Sequence, residues 1–206
     1  MWVVKLGGSL YRDALLPGWL ELLAELGGGR VVIVCGGGGF ADEVRQHQAH
    51  WRFPDLAAHN MAVLAMAQGA VMLQGLQPAL RLAGADNEIR SGLRSGHTVV
   101  WAPYELLREA PDGRTNWHHA GDSIALALAR RLNVERLVLV KSCAVDQQAT
   151  LAELGAAGVI DSSFAPDAMG AGFAIDIVQR EQLDLVREQL LAGSGPPAQL
   201  GVPRWR

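Results

Sequence analysis

The chain has 206 residues, half of them apolar, with 18 Lys and Arg set against 21 Asp and Glu. That length buries one substantial core and leaves no linker long enough to separate a pair of domains, so a single domain over residues 1–206 is expected. The near-balance of charge excludes the global positive field that draws nucleic acid or anionic lipid.

Residues 2–6 predict a buried strand and Leu15 to Leu26 a helix, ended where Gly27-Gly28-Gly29 admits a left-handed backbone. Val31 to Cys35 is a continuous β-branched run, which suits a parallel strand covered on both faces. Phe40 to Trp51 predicts a helix with Asp42 and Glu43 in its first turn, where carboxylates are favoured. A helix from Leu56 to Gln68, a strand from Val71 to Leu73 and a turn or short helix from Pro78 to Leu82 follow. Residues 84–97 read as a polar loop in which Arg90, Arg94 and His97 are either solvated or belong to an acceptor-phosphate pocket. Next come a strand from His97 to Trp101, a short helical piece from Pro103 to Leu107 and a turn at Pro111-Asp112-Gly113. Asp122 to Ala129 predicts a helix with Asp122 as its N-cap. Leu137 to Lys141 is a strand, Thr150 to Ala156 a helix, Ile160 to Phe164 a turn, Ala174 to Val178 a strand and Gln182 to Leu191 a helix. A last strand is expected at Ala198 to Val202. Strands alternating with helices call for an α/β fold, a three-layer α/β/α sandwich with a mainly parallel central sheet.

The N-terminus lacks the basic-then-apolar layout of a signal peptide, and the apolar run from Met61 to Leu73 is broken by Gln68 and Gly69 and too short to span a bilayer. A cytoplasmic protein without membrane or nucleic-acid partners is expected. Cys35 and Cys143, each in or at the end of a Val/Leu run, read as small packing residues.

Two glycine-rich turns are entered directly from strands: Lys5-Leu6-Gly7-Gly8-Ser9 and Cys35-Gly36-Gly37-Gly38-Gly39. Backbone N–H groups at such strand ends hold phosphoryl groups, and Lys5 adds a charge. Gly36, Gly38 and Ala41 match a dinucleotide fingerprint, but no second strand ending in Asp or Glu follows. A Walker A loop is absent. His118 and His119 with Asp122 or Asp161 lack zinc-site spacing, so no resident metal is expected.

The N-terminal Val4-Lys5-Leu6-Gly7-Gly8-Ser9, the strand into Gly36 to Gly39, and the Asp122-Ser123-x-Ala125-x-x-x-Ala129 helix before a Val/Leu strand together resemble the amino acid kinase superfamily. Within it, His59 to Met66, Trp117-x-x-x-Gly121-Asp122-Ser123-Ile124-Ala125 and Val159 to Phe164 are most similar to the small kinases of methanofuran biosynthesis, which phosphorylate an aminomethylfuran-methyl phosphate to its diphosphate. The resemblance implies ATP with Mg²⁺, the ion held largely through phosphates, and a small-molecule phosphate acceptor. It also implies a homodimer or higher homo-oligomer.

The same resemblance assigns roles to residues. Lys5 would neutralise the β/γ oxygens, with Gly7, Gly8 and Ser9 presenting N–H groups to the transferring phosphoryl. Gly36, Gly37, Gly38 and Gly39 would hold the acceptor's phosphate on the other side, with His59 and Ser123 in the acceptor site. Asp122 would orient the lysines. The nucleotide would lie across Lys141, Ser142, Cys143 and Asp146. Here the chain departs from its relatives, reading Lys141-Ser142-Cys143-Ala144-Val145-Asp146-Gln147 where they carry an acidic residue and a glycine, and the Asp167 to Ala174 segment lacks their second lysine. Lys5 and Lys141 are the only lysines, so Lys141 is the available second ammonium. The rival readings are a kinase for another acid or a nucleoside monophosphate, and a non-catalytic nucleotide- or anion-binding protein.

Overall fold

The computed structural model describes residues 1–193. Its strands are β1 (Trp2–Leu6), β2 (Val31–Cys35), β3 (Arg81–Ala83), β4 (Val99–Trp101), β5 (Arg136–Lys141) and β6 (Ala174–Gln179). Its helices are α1 (Leu16–Leu26), α2 (Gly38–Trp51), α3 (Asp55–Leu76), α4 (Asp86–Arg94), α5 (Gly121–Leu132), α6 (Leu151–Ala156), α7 (Phe164–Ala168) and α8 (Leu183–Ala192). The strands form one sheet in the order β3-β4-β2-β1-β5-β6, with every pairing parallel.

Alternation along each strand divides the core in two. Val3, Val32, Val34, Leu137, Leu139, Ile175 and Ile177 pack on α4, α5, α6 and α7. Trp2, Val4, Leu6, Val31, Ile33, Val138 and Val140 pack on α1, α8 and the second half of α3. The result is the expected three-layer sandwich, whose strands are apolar on both faces because both are covered.

The chain leaves β1 toward β2 on one side and β5 toward β6 on the other. Strand order therefore reverses between β1 and β5, and the crevice beyond their carboxyl ends is where such sheets take ligands.

Three expectations are corrected. Val71 to Leu73 lies inside α3, which runs on to Leu76. Gly69, which suggested a break, is where the hydroxyl of Tyr11 meets the helix, leaving no room for a Cβ. Arg81 to Ala83, overlapping the end of the turn or short helix expected at Pro78 to Leu82, forms the edge strand β3. The polar stretch 84–97 contains α4, which buries Ile89 and Leu93; Glu88 Oε2 accepts the N–H groups of Gly84 at 2.7 Å and Ala85 at 3.3 Å at its start. After α1 the expected left-handed backbone in the Gly27-Gly28-Gly29 triplet falls on Gly29, at φ 75°. The strand expected at Ala198 to Val202 lies outside the described residues.

By length and composition α3 is the one helix among the described residues able to cross a bilayer. It serves as a core helix, burying Ala58, Val63, Ala65, Met66, Ala67, Gly69, Ala70 and Leu73.

Candidate active site

Lys5 occupies the same face of β1 as Val3, and Lys141 the same face of β5 as Leu137 and Leu139. In the β1–β5 register Lys5 sits opposite Leu139, so Lys141 stands one pleat further toward the carboxyl ends. Both ammonium groups consequently meet the start of α5.

There Asp122, 2% exposed, separates them. Lys141 Nζ donates to Asp122 Oδ2 at 2.6 Å, and Lys5 Nζ lies 2.7 Å from Oδ1 in an ionic contact not aligned as a hydrogen bond. The lysines are themselves only 7% and 8% exposed.

The two cations have unequal environments. Burial opposes charge on both. For Lys5 the Asp122 carboxylate more than offsets this and the pKa is raised; for Lys141 burial, reinforced by the Lys5 charge, wins and the pKa is lowered. Burial alone would raise the Asp122 carboxyl, but the two ammoniums hold it down at about 2.

Asp122 was expected to cap α5. The N-cap position belongs to Ala120, which has no side chain able to accept. The capping group comes from 39 residues away: Asp161 Oδ2 accepts the N–H groups of Asp122 at 2.9 Å and Ser123 at 3.0 Å. Asp161 N–H returns a bond to Asp122 Oδ2 at 3.2 Å. Asp122 is thereby released to face the lysines.

The two glycine turns pack directly on each other, backbone against backbone. A Cβ on Gly36 would lie 2.6 Å from Gly8 N, and one on Gly8 would overlap the backbone of Gly38. Gly38, at φ 53°, packs against the ring of Tyr11, whose hydroxyl donates to the Gly36 carbonyl. The Gly7 N–H, expected to face a phosphoryl group, donates to Val140 O at 3.2 Å, and the Gly36 N–H to Leu6 O at 3.0 Å. The N–H groups left for a ligand lie further along each turn, where α2 begins at Gly38 without a side-chain cap.

These elements bound a cleft of about 700 Å³. Of the residues singled out in the sequence, Lys5, Gly8, Ser9, Gly36, Gly37, Gly38, Gly39, His59, Asp122 and Lys141 line it, whereas Gly7, Ser142, Cys143, Asp146 and Ser123 do not. Ser142 touches the rim through its Oγ, 2.6 Å from Ser9 Oγ. Asp146 Oδ1 accepts the Gln148 N–H at 2.9 Å in a turn of its own, and Ser123 Oγ lies 2.9 Å from Ser163 Oγ behind the wall. Cys143 is exposed rather than packed, unlike Cys35, whose thiol burial pushes up to about 12. His59 Nε2 sits 3.2 Å from Leu106 O, and burial, with a smaller contribution from Arg108, lowers its pKa. Arg90, Arg94 and His97 are exposed and do not line the cleft.

Sequence reasoning missed Tyr11 and Arg12, which also line the cleft, as do Trp117 and His119. Trp117 Nε1 donates to Gln48 Oε1 at 2.7 Å and its ring lies 4.4 Å under Arg45, fastening the 107–120 segment to α2. Arg12 forms no ion pair among the described residues, and its adjacency to the Gly-Gly-Ser turn was the available signal. His118 and His119 have separate partners, Ser162 at 3.1 Å and Asn116 at 3.3 Å, and no group of three metal-binding side chains occurs among the described residues.

A parallel sheet whose switch point holds two buried ammonium groups on one carboxylate, facing a cleft walled by glycine turns, defines an anion-binding α/β protein suited to phosphoryl groups. Residues 1–144 match the model of the amino acid kinase family, and the chain belongs to that family of phosphotransferases. No curated protein matches by sequence. Among solved structures, the uridylate kinase from Archaeoglobus fulgidus is similar at 15% identity and TM-score 0.68, over 92% of this chain and 95% of that one. The UMP kinase from Bacillus anthracis gives 14% and 0.66, over 93% and 91%. An isopentenyl phosphate kinase gives 15% and 0.60, over 93% and 96%. At such identities the likeness is one of fold.

Proposed function

We propose that the protein transfers the γ-phosphoryl group of ATP to a small acceptor that already carries a phosphate. The observation that carries this is the Lys5–Asp122–Lys141 triad at the wall of the cleft. In-line phosphoryl transfer needs positioning and neutralisation of oxygens more than covalent help. Asp122 cannot take a proton at neutral pH with its carboxyl held at about 2; its work is to hold two ammoniums side by side. A phosphate acceptor needs no base, since its oxygen is already ionised. Lys5 and Lys141 then face the β/γ oxygens, the turn at Gly8 and Ser9 supports the phosphoryl in flight, and Gly37 to Gly39 with Arg12 hold the acceptor's phosphate. The solved structures of similar fold include kinases named for UMP and isopentenyl phosphate, which agrees with an acceptor of this kind.

Magnesium fits as a metal carried in by the nucleotide, because the described residues offer no cage of their own. When bound it would supply positive charge to offset the phosphate oxygens beside Lys5 and Lys141. Lys141 reaching the Asp122 carboxylate, despite the missing downstream lysine, supports the catalytic reading over the non-catalytic one.

The preferred acceptor is an aminomethylfuran-methyl phosphate, giving the diphosphate as in methanofuran biosynthesis; this rests on the subfamily resemblance of His59 to Met66 and Val159 to Phe164. We place the protein in the cytoplasm as one domain and as a homodimer. The apolar side chains Met61, Leu64 and Val71 recur at helical spacing on the exposed face of α3, with Leu76 beyond them, and offer a surface for a second copy. ADP release from Mg-ATP tests the reading, comparing the furan phosphate with UMP, acetylglutamate and no acceptor. Turnover with the furan phosphate alone is expected; turnover with UMP alone moves the assignment to a nucleoside monophosphate kinase. Tight nucleotide binding with no turnover on any acceptor overturns the kinase reading.

A further inference from the structure

A site for phosphates is poorly served by a bare carboxylate, yet Asp161 lines the same cleft as Lys5 and Lys141. Its Oδ2 is occupied by the two N–H groups at the start of α5. Oδ1 stays outside these bonds, and among the described residues no ion pair includes Asp161, because both lysines are engaged by Asp122. Lys5 and Lys141 act on Asp161 only from beyond ion-pair distance, and a carboxylate oxygen facing a polyphosphate repels it unless a cation stands between them. Mg²⁺ is such a cation, since it commonly takes one or two carboxylates together with its nucleotide's phosphates.

We propose that Asp161 Oδ1 is the protein's ligand for the magnesium of Mg-ATP, while Oδ2 caps α5; this rests on the nucleotide reading above. The one carboxylate then ties the metal to the backbone of Asp122 and so to the two ammoniums. Metal and lysines are set in a common frame, and an approaching nucleotide meets positive charge from both sides. The chemical alternative is a protonated carboxyl that donates to a phosphate oxygen; burial and the Asp122 charge do raise the Asp161 pKa.

Two substitutions separate these roles. Asp161→Asn keeps a carbonyl oxygen for the two N–H groups and turns an amide NH₂ toward the phosphates; Asp161→Ser keeps a capping hydroxyl and removes the carboxylate. Free and bound Mn²⁺ are counted by electron paramagnetic resonance in protein saturated with ADP, and metal-free ADP affinity is measured by calorimetry in a chelator. We expect both variants to lose about 10-fold or more in Mn²⁺ affinity and to bind metal-free ADP at least as tightly as the wild type. Unchanged Mn²⁺ affinity with ADP binding retained overturns the proposal in favour of the protonated carboxyl. A parallel loss of both affinities with a lower melting temperature overturns it in favour of a cap alone. If the wild type binds no ADP, the nucleotide reading fails and this proposal with it.

Discussion

Asp122 serves two cations, and this sets what each substitution around it does. Lys5→Ala leaves the carboxylate paired with Lys141, so the fold should persist while phosphoryl transfer falls by about 100-fold or more, the usual cost of removing one electrostatic donor from a transition state. Steady-state ADP release and a melting curve on the same preparation check this, and unchanged turnover would falsify the assignment of Lys5. Lys141 carries the more labile charge, because burial and its neighbour Lys5 both disfavour the ammonium form. Metal-free ADP affinity should therefore fall as pH rises through a midpoint below the ordinary lysine range. Lys141→Arg, cationic throughout, should lack that midpoint in a titration series. Asp122 acts on stability with the opposite pH sense. Its folded carboxyl, near 2 against an unfolded value near 3.8, contributes about 2 kcal/mol that is fully present above the unfolded value and lost as pH falls toward 2. Urea midpoints between neutral pH and pH 2 should show the loss, and Asp122→Asn should flatten it.

At the scale of elements, the two glycine turns and the start of α2 form one packed junction in which backbone meets backbone. Gly8→Ala places a methyl group into Gly38 and should cost about 1 to 3 kcal/mol, with ADP affinity lost as the turns separate. Gly75 is the contrast: it lies in α3 with open space around it, and Gly75→Ala should raise stability by about 0.5 to 1 kcal/mol. Denaturant curves on the pair tell a packing glycine from an idle one. The glycine clusters were legible in the sequence as tight turns at strand ends because each follows a β-branched strand. Their mutual contact was not, since Gly8 and Gly38 meet only when β1 and β2 pair. The same distance hid the true cap of α5: Asp122 looked like a cap from its place before an Ala/Leu run, but the accepting carboxylate is Asp161.

For the whole molecule, the exposed stripe of α3 predicts association. Sedimentation at micromolar concentration should give twice the monomer mass of 22.0 kDa, and Leu64→Glu should return the monomer with its far-ultraviolet circular dichroism unchanged. A monomeric wild type removes that surface from the account. The helix itself shows how context overrules local pattern: Gly69 and the Val71 to Leu73 run suggested a break and a strand, whereas packing against Tyr11 and the sheet keeps the turns continuous to Leu76.

What the sequence determined by itself was the layered α/β architecture, the positions of its longest strands along the chain and the candidacy of Lys5, Asp122 and Lys141. Periodicity and strand-to-glycine transitions are local signals that need no partner to be read. Only the tertiary structure decided that both lysines share one carboxylate, that Gly7 uses its N–H in the sheet, and that Asp161 and Tyr11 hold the site's frame. These depend on parallel register and on contacts between residues 25 to 39 positions apart or more, which the linear order of side chains does not carry.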